Sequence, residues 1–412
     1  MYSLYNLFKF IFYIIFSINS ILCYDPPKRR YHNSVIIDHR LLIIGGNKST
    51  TEKTYELIYL DLSQSFDNTN LPWNLIREGD LPIYTSSSTA IVGLDNSTIF
   101  LIGGFTFDKN TLDYDYSNPV YTYDSLNSKW NKPQITGDNV LAKQRIRGVI
   151  DDFGIIYIFG GNNATNFTTF DGNLHNEMNT LNTSSMTWKT LSITNNLPPP
   201  SSSYSASILP NGIIVYFGGQ EENDTLDTMK NIKLFDTKEN EWSYMVATGE
   251  DVDPRRNFAS VLTLDGYIII FGGRSNSFAS VSPKLAVLNT NKSPYEWSIP
   301  SGSKVNSPPS IYGHTANLYN NYMIITFGYD IDNQILNSQV YFYDVTNNTW
   351  ITSFNPNSPS PPSPSSRPSK FLKPLLIGTG IGVYSCQAAN DDDSEYELYI
   401  FGGVTASFGK VQ

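Results

Sequence analysis

The sequence predicts an all-β protein built from a repeated unit of four antiparallel strands, and three observations support this prediction. Short β-branched and aromatic runs end in Gly-Gly at many places in the chain, as in Gly154 to Gly161. The tryptophans recur at intervals of 53 to 58 residues. Aromatic residues make up 14% and charged residues 16% of the 412 residues, a composition that suits packed sheets better than a helical bundle or a disordered chain.

The Gly-Gly pairs mark the end of one strand in each repeat, and the second glycines of the first five pairs are 54 to 58 residues apart. A less regular copy runs from Tyr322 to Gly328, where Tyr329 is predicted to replace the second glycine. Glycine lets neighbouring backbones approach closely, so we expect each pair to lie where two repeats meet. The paired glycines are Gly45, Gly46, Gly103, Gly104, Gly160, Gly161, Gly218, Gly219, Gly272, Gly273, Gly402 and Gly403.

The tryptophans mark a second strand type in the repeat. They are Trp73, Trp130, Trp188, Trp242, Trp297 and Trp350. In four repeats an Asp or Asn stands six residues before the tryptophan, usually after aromatic residues, as in Tyr121-Thr122-Tyr123-Asp124. A Gly-Gly strand followed by a Tyr-Asp…Trp strand, in a unit of about 50 residues, resembles the kelch repeat. The resemblance covers roughly residues 30 to 351.

This resemblance implies a kelch β-propeller, in which each four-stranded unit is one blade of a ring. Turn sequences such as Asn211-Gly212 and Asp265-Gly266 predict tight hairpins between the first and second strands. We therefore expect residues 24–354 to form six four-stranded blades, with the tryptophans filling the layers between blades.

The two ends of the chain predict other segments. Residues 1–23 have the pattern of a secretory signal peptide, with Lys9 before an apolar run that is too short to span a bilayer. An uncleaved signal anchor is the alternative. Residues 355–374 form a Pro/Ser-rich linker, and residues 375–412 form a tail with a seventh Gly-Gly strand, Tyr396 to Gly403. Whether this partial repeat completes a seventh blade is left open, as is membrane contact, because the apolar run in the tail is also too short to span.

A secreted or cell-surface protein can carry N-linked glycans at Asn-X-Ser/Thr triplets. The sequence contains eight such acceptors, mostly in predicted turns beside strands. They are Asn47, Asn96, Asn163, Asn166, Asn182, Asn223, Asn291 and Asn347.

Three arginines are candidates for ligand binding. Arg30 and Arg256 align when Ser34 is placed on Ser260, and together with Arg145 they are predicted to line the mouth of the propeller channel and bind an anion. The alternative is that they donate hydrogen bonds to carbonyls of a neighbouring blade. His32 and His314 lie where kelch units often carry a structural histidine, so the resemblance implies a structural role for both.

The composition and motifs exclude several functions. A net charge of −10 argues against nucleic-acid binding. The four histidines are too scattered to predict a metal site, and no cofactor is predicted. The fold resembles that of galactose oxidase, but the only cysteines, Cys23 and Cys386, lie in the leader and the tail, so the Tyr–Cys copper site of that enzyme cannot form.

The sequence thus predicts a non-catalytic interaction module, secreted or at the cell surface, that binds a protein or a glycan. The loops that follow the Gly-Gly pairs vary most in length, and the candidates for contact are Phe105 to Pro119, Asn162 to Asn176 and Gln220 to Lys230. The alternative is a carbohydrate-active enzyme, of epimerase, lyase or oxidase type, whose site is assembled from scattered loop residues. No catalytic residue is predicted.

Overall fold

The computed structural model describes residues 24–49, 54–77, 80–163, 172–302 and 304–357, together with the backbone of three strands between residues 383 and 407. The described residues of the first segments form six four-stranded antiparallel sheets, and within each sheet the strands are adjacent in chain order. Their one helical turn is the 3-10 turn Glu222–Asp224. The all-β prediction is therefore confirmed.

Each blade contains a first, second, third and fourth strand, from the axis outwards. The strands of blade 1 are Asn33–Ile37, Arg40–Ile44, Leu57–Asp61 and Trp73–Leu75. Those of blade 2 are Thr89–Val92, Thr98–Ile102, Val120–Asp124 and Lys129–Asn131. Those of blade 3 are Gly148–Ile150, Ile155–Asn162, Leu174–Asn182 and Thr187–Leu191. The strands of blade 4 are Ser205–Ile208, Ile213–Phe217, Asn231–Asp236 and Glu241–Val246. Those of blade 5 are Ala259–Leu262, Tyr267–Phe271, Leu285–Asn289 and Glu296–Ser298. Those of blade 6 are Thr315–Tyr319, Tyr322–Thr326, Val340–Asp344 and Thr349–Ile351.

The blades form a closed ring. The first strand of each blade contacts the first strand of the next blade, and that of blade 6 contacts that of blade 1. Shortly before each first strand, one residue adopts a positive φ, and its N–H donates to the carbonyl of the equivalent residue in the preceding blade at 2.7 to 3.4 Å. These six bonds form an unbroken circle of backbone hydrogen bonds around the axis. The residues are Tyr31, Ser87, Arg145, Ser203, Asn257 and Gly313.

The core is divided into six apolar clusters, one between each pair of neighbouring blades. The repeated tryptophan of each blade joins the cluster shared with the preceding blade, as the sequence predicts. Five of these tryptophans are buried, whereas Trp130 is half-buried. Burial between blades therefore explains why the tryptophan recurs once per repeat.

The Gly-Gly pair is required by the contact between blades. Gly45 has φ +65°, and a Cβ atom there would lie 2.3 Å from the carbonyl oxygen of Thr85 in the next blade. Gly46 has φ +97°, and its N–H donates to the same carbonyl at 2.8 Å. A side chain at the first position would thus push neighbouring blades apart.

Blade 6 carries the same turn, but not in the predicted register. Phe327 (φ +58°) and Gly328 (φ +103°) take the places of the first and second glycines, and the Gly328 N–H donates to the Arg29 carbonyl at 3.0 Å. The prediction that Tyr329 replaces the second glycine is therefore wrong, because the first glycine is the one replaced. The buried Phe327 ring packs on His32 and Trp73, with ring centroids 5.2 and 5.5 Å apart, where blade 6 meets blade 1.

Short strands between the blades add further pairing. Ser353–Phe354, after the last strand of blade 6, pairs with Phe66–Asp67 of blade 1, and two segments pair in parallel with the fourth strands of blades 3 and 5. Those two segments are Thr136–Gly137 and Thr248–Gly249. The remaining short strands are Ile83–Ser86, Phe105–Asp108, Asp113–Tyr114, Ser201–Ser202, Gln220–Glu221, Ile311–Tyr312, Tyr329–Asp330 and Ile335–Leu336.

Residues 363–412 form a separate compact unit. Its described backbone is a three-stranded antiparallel sheet of Val383–Ser385, Glu397–Ile400 and Val404–Ser407. The predicted seventh Gly-Gly strand overlaps the middle strand, but Gly402 and Gly403 lie outside the described residues, as do the predicted signal peptide and most of the Pro/Ser linker. Within the described part of the chain, no helix has the length and apolar character needed to cross a membrane.

Candidate functional site

Six pairs of residues surround one end of the channel, and we call this end the channel mouth. In each blade, the residue just before the positive-φ residue pairs with the residue that follows the Gly-Gly turn. The pairs are Arg30 with Asn47, Ser86 with Phe105, Gln144 with Asn162, Ser202 with Gln220, Arg256 with Arg274, and Tyr312 with Tyr329. Because the second strands end here, the variable loops after the Gly-Gly turns lie on the same face.

Arg256 is the most constrained predicted ligand residue at the mouth. It is 8% exposed, its Nη1 donates to the Gln220 side chain, and its Nη1 lies 3.7 Å from the Asp224 carboxylate. Burial lowers the pKa of Arg256 to about 10, helped by the nearby guanidinium groups of Arg274 and Arg145. Its Nε is buried without a hydrogen-bond partner among the described residues.

Arg145 belongs to the same electrostatic neighbourhood. Burial lowers the pKa of Arg145, and Arg274 lowers it further, whereas Tyr31 and Asp224 act in the opposite direction. Blades 3 and 5 therefore bring positive charge to one side of the mouth. The structure thus brings together two of the three arginines that the sequence singles out.

Arg274 is a third arginine of this group, and the sequence analysis missed it. It is 5% exposed, its guanidinium lies 3.8 Å from the Phe278 ring centroid, and its Nε is also buried without a partner in the described structure. Its Nη1 donates to the Ser275 carbonyl at 3.0 Å. The only sequence feature that could have identified Arg274 is its position directly after Gly272-Gly273, but no other repeat has an arginine at that position.

Arg30 lies among aromatic rings at the mouth. Its guanidinium is 5.2 to 5.4 Å from the ring centroids of Tyr31, Tyr312 and Tyr329, and it donates to the Tyr312 hydroxyl. Burial raises the pKa of Tyr312 to about 12, so the phenol is neutral at physiological pH. Arg30 therefore has aromatic partners that the sequence did not predict.

For Arg30 and Arg256, the alternative role of bonding to carbonyls is taken by the preceding arginine in the chain. Arg29 donates to the Pro27 and Gly45 carbonyls, both at 3.1 Å. Arg255 donates to the carbonyls of Asp253, Gly272 and Ser282 at 3.0 to 3.1 Å. Both residues are fully buried. In each arginine doublet, the first residue stabilises the blade and the second reaches the mouth.

The two candidate structural histidines are buried between blades. The His314 Nε2 lies 3.1 Å from the Phe271 carbonyl, and in blade 4 the Tyr204 hydroxyl donates to the equivalent Phe159 carbonyl. Burial lowers the pKa of His314 to about 3 and holds that of His32 well below its ordinary value. In the described residues, no group of three or more His, Cys, Asp or Glu side chains could hold a metal ion.

The three predicted contact loops differ in their relation to the mouth. Residues 105–119 include two strands, Phe105–Asp108 and Asp113–Tyr114, that pair as an antiparallel hairpin. Residues 164–171 of the second loop lie outside the described part of the chain. The third loop, Gln220 to Lys230, places Gln220 and Asp224 against Arg256. Of the three, this loop has the clearest contact with the arginines.

The predicted glycan acceptors are not equally accessible. Asn47 is 5% exposed and accepts a hydrogen bond from the Tyr84 hydroxyl, so its predicted role as an acceptor does not fit the fold. Asn96 and Asn223 are exposed in turns. Asn291 and Asn347 are exposed, but their side-chain amides donate to Asp265 and Asp344. The remaining acceptors are Asn163 and Asn182, which are partly buried, and Asn166, which lies outside the described residues.

Comparison with known proteins supports the fold. The profile of the KLHDC2/KLHL20/DRC7 Kelch-repeats domain matches residues 18–219 and 211–392. Acyl-CoA-binding domain-containing protein 5 of Arabidopsis thaliana is 25% identical over 286 residues, which cover 67% of this chain and 40% of that protein. Kelch domain-containing protein 3 of Rattus norvegicus is 26% identical over 262 residues, which cover 60% of this chain and 64% of that protein.

The alignments thus span less than two thirds of the length of these curated relatives. Among solved structures, that of YjhT superposes with a TM-score of 0.60 at 12% identity and covers 79% of this chain and 97% of its own chain, a likeness that concerns the fold. The family profile matches most of the chain, and the structure shows the repeated Gly-Gly turns packed blade against blade. The chain belongs to the kelch-repeat family.

Proposed function

We propose that this protein is a non-catalytic interaction module whose channel mouth binds an acidic group on a protein partner. The observation that carries the proposal is the convergence of Arg145, Arg256 and Arg274 on one side of the mouth. The buried Nε atoms of Arg256 and Arg274 have no partner among the described residues, and such groups gain free energy when a ligand supplies an acceptor. The aromatic rings around Arg30 add apolar surface for a partner.

An acidic group fits this site because the rest of the molecule is acidic. The chain carries a net charge of −10, so the arginine side of the mouth is a local exception. The positive charge at the mouth attracts an approaching acidic group, and the negative charge of the remaining surface repels it. A protein partner also agrees with the kelch-repeat family, whereas a glycan partner has no charged group to match unless it is acidic.

The test is a binding screen with matched variants. Peptides that differ in acidic residues would be arrayed beside glycans and probed with wild type, with an R256Q/R274Q double variant and with R40Q. Arg40 lies at the other end of blade 1 and pairs with Asp38, so R40Q removes an arginine charge away from the mouth. We expect saturable binding of acidic peptides that the double variant loses and R40Q keeps. Equal binding by the double variant, or binding of glycans alone, would contradict the proposal.

We also propose that the protein works outside the cell or at its surface. The signal-like pattern of residues 1–23 supports this, as do the exposed acceptors Asn96 and Asn223. Expression in a eukaryotic cell with the leader intact should deliver the protein to the medium or cell surface, with a mobility that shifts on N-glycosidase treatment. An unmodified protein retained in the cytosol would rule this out.

A further inference from the structure

The turn after the Gly-Gly of blade 4 places one carboxylate in the arginine group. Asp224 lies 3.7 Å from the Arg256 Nη1 and is also an electrostatic neighbour of Arg145. It therefore occupies the position that an anionic group on a partner would take in the proposed function. The Asp224 carboxylate thus partly neutralises the positive charge of the arginine group.

Specific contacts hold Asp224 in this position. The Gln220 side chain connects the two charges, because its Nε2 donates to Asp224 Oδ1 at 2.5 Å while its Oε1 accepts from Arg256. The Asn276 side chain donates to the Asp224 backbone carbonyl, which ties the turn to the loop of blade 5. Asn223 and Asp224 both adopt positive φ, at 57° and 56°, a conformation that Asn and Asp tolerate better than other non-glycine residues.

Asp224 is nevertheless easy to displace. Its side chain is 76% exposed, and its ion pair with Arg256 is long. By contrast, Asp227 in the same loop is 6% exposed and lies 2.5 Å from Lys233, which is itself buried. An exposed turn with a long ion pair can give way to a better ligand, whereas the Asp227–Lys233 pair fixes the base of the loop.

We propose that Asp224 is a built-in competitor that must leave the arginine group when an anionic ligand binds, and that a dianionic group of the phosphate type displaces it more effectively than a carboxylate does. The inference rests on the proposed anion-binding function. Displacing Asp224 costs the same free energy for any ligand, so the competitor lowers the affinity for all of them by the same factor. When a single carboxylate replaces Asp224, one negative charge is exchanged for another and little is gained. A phosphate monoester carries close to two charges at neutral pH, so its stronger attraction to three guanidinium groups offsets that cost.

Phenyl phosphate and benzoate are suitable probes, because they share a ring and differ in the anionic group. Their dissociation constants would be measured by calorimetry at fixed ionic strength for wild type, D224N, E222Q and R256Q. Glu222 is an exposed residue of the same turn, so E222Q is a matched loss of charge. In wild type we expect phenyl phosphate to bind about tenfold more tightly than benzoate. In D224N both probes should gain affinity by a similar factor, about threefold or more, because neither has to displace a carboxylate, while E222Q leaves both affinities close to those of wild type.

The outcomes separate the two proposals. If R256Q weakens both probes but D224N leaves both affinities unchanged, the anion site stands and the competitor role is wrong. The same conclusion follows if D224N only lowers the melting temperature, because Asp224 would then be a structural ion pair. If neither probe binds wild type or D224N, both proposals fail. An equal gain of affinity in E222Q and D224N would also contradict a specific role for Asp224.

Discussion

At the scale of single residues, the arginine doublets show how adjacent side chains divide two tasks. Arg29 and Arg255 are fully buried and donate to backbone carbonyls, whereas Arg30 and Arg256 reach the mouth. In an extended segment successive side chains point in opposite directions, which places one arginine in the blade and the next at the channel. Residue type alone therefore does not separate the structural from the binding arginine.

This division predicts different outcomes for two neighbouring substitutions. R255Q should lower the free energy of unfolding by about 3 kcal/mol, because it removes charge-assisted bonds from a buried guanidinium to three backbone carbonyls, of which that of Gly272 is buried. R256Q should cost less than about 1 kcal/mol, since it relieves repulsion among arginines while losing one bond. Urea denaturation of both variants measures the difference. Equal costs would mean that the doublet does not divide these roles.

His314 predicts a pH dependence of stability. Its folded pKa of about 3 lies below the ordinary histidine value of 6.5, so between these values the unfolded state binds more protons. Stability is therefore lost as the pH falls below about 6.5. H314Q keeps a donor for the Phe271 carbonyl but cannot be protonated, so it should lose about 2 kcal/mol less than wild type between pH 7 and pH 5. An unchanged pH profile in urea titrations would show that His314 is not buried in its neutral form.

At the scale of strands and turns, the repeat made much of the fold predictable. Every blade packs against a neighbour in the same way, so the Gly-Gly turn and the tryptophan recur wherever that contact recurs. The register of blade 6 was mispredicted because Phe327 fills the first glycine position, and only the φ angles and the Gly328 bond to Arg29 identify it. Arg274 was not predicted because the residue after the Gly-Gly turn differs from one repeat to the next, and a comparison of repeats cannot identify a residue that occurs in only one of them.

The repeated tryptophans differ in how deeply they are buried, a difference that their regular spacing in the sequence does not predict. Trp297 is 1% exposed and its Nε1 donates to the Met229 carbonyl at 2.7 Å, whereas Trp130 is half-buried. W297A should lower the free energy of unfolding by about 3–5 kcal/mol, and W130A by about half as much. Chemical denaturation of the two variants gives both numbers. Similar costs would mean that the packing between blades 1 and 2 is as tight as that between blades 4 and 5.

At the scale of the whole molecule, ring closure depends on side-chain packing and short backbone pairing. Phe354 is 1% exposed, stacks on Phe66 with 4.9 Å between ring centroids, and joins the cluster shared by blades 6 and 1. The circle of backbone bonds through Tyr31 and Gly313 runs across the same interface. The ends of the propeller are thus held together without a covalent link among the described residues.

F354A therefore tests how the ring is closed. We expect it to lower the free energy of unfolding by about 3–5 kcal/mol, as for other buried aromatic residues. F153A is the matched control, because Phe153 is 83% exposed at a hairpin tip and its loss should cost less than about 0.5 kcal/mol. Thermal and urea unfolding would be followed for both. A small cost for F354A would place the main closing contacts elsewhere in the interface.

The measurement that tests the central claim most directly is a crystal structure of the protein soaked with phenyl phosphate. The account predicts density for the phosphate at the channel mouth, in contact with Arg256 and Arg274, and an Asp224 carboxylate that has moved away from Arg256. A phosphate bound elsewhere, or a mouth that stays empty under saturating probe, would contradict the claim that this propeller binds anionic groups through its channel mouth.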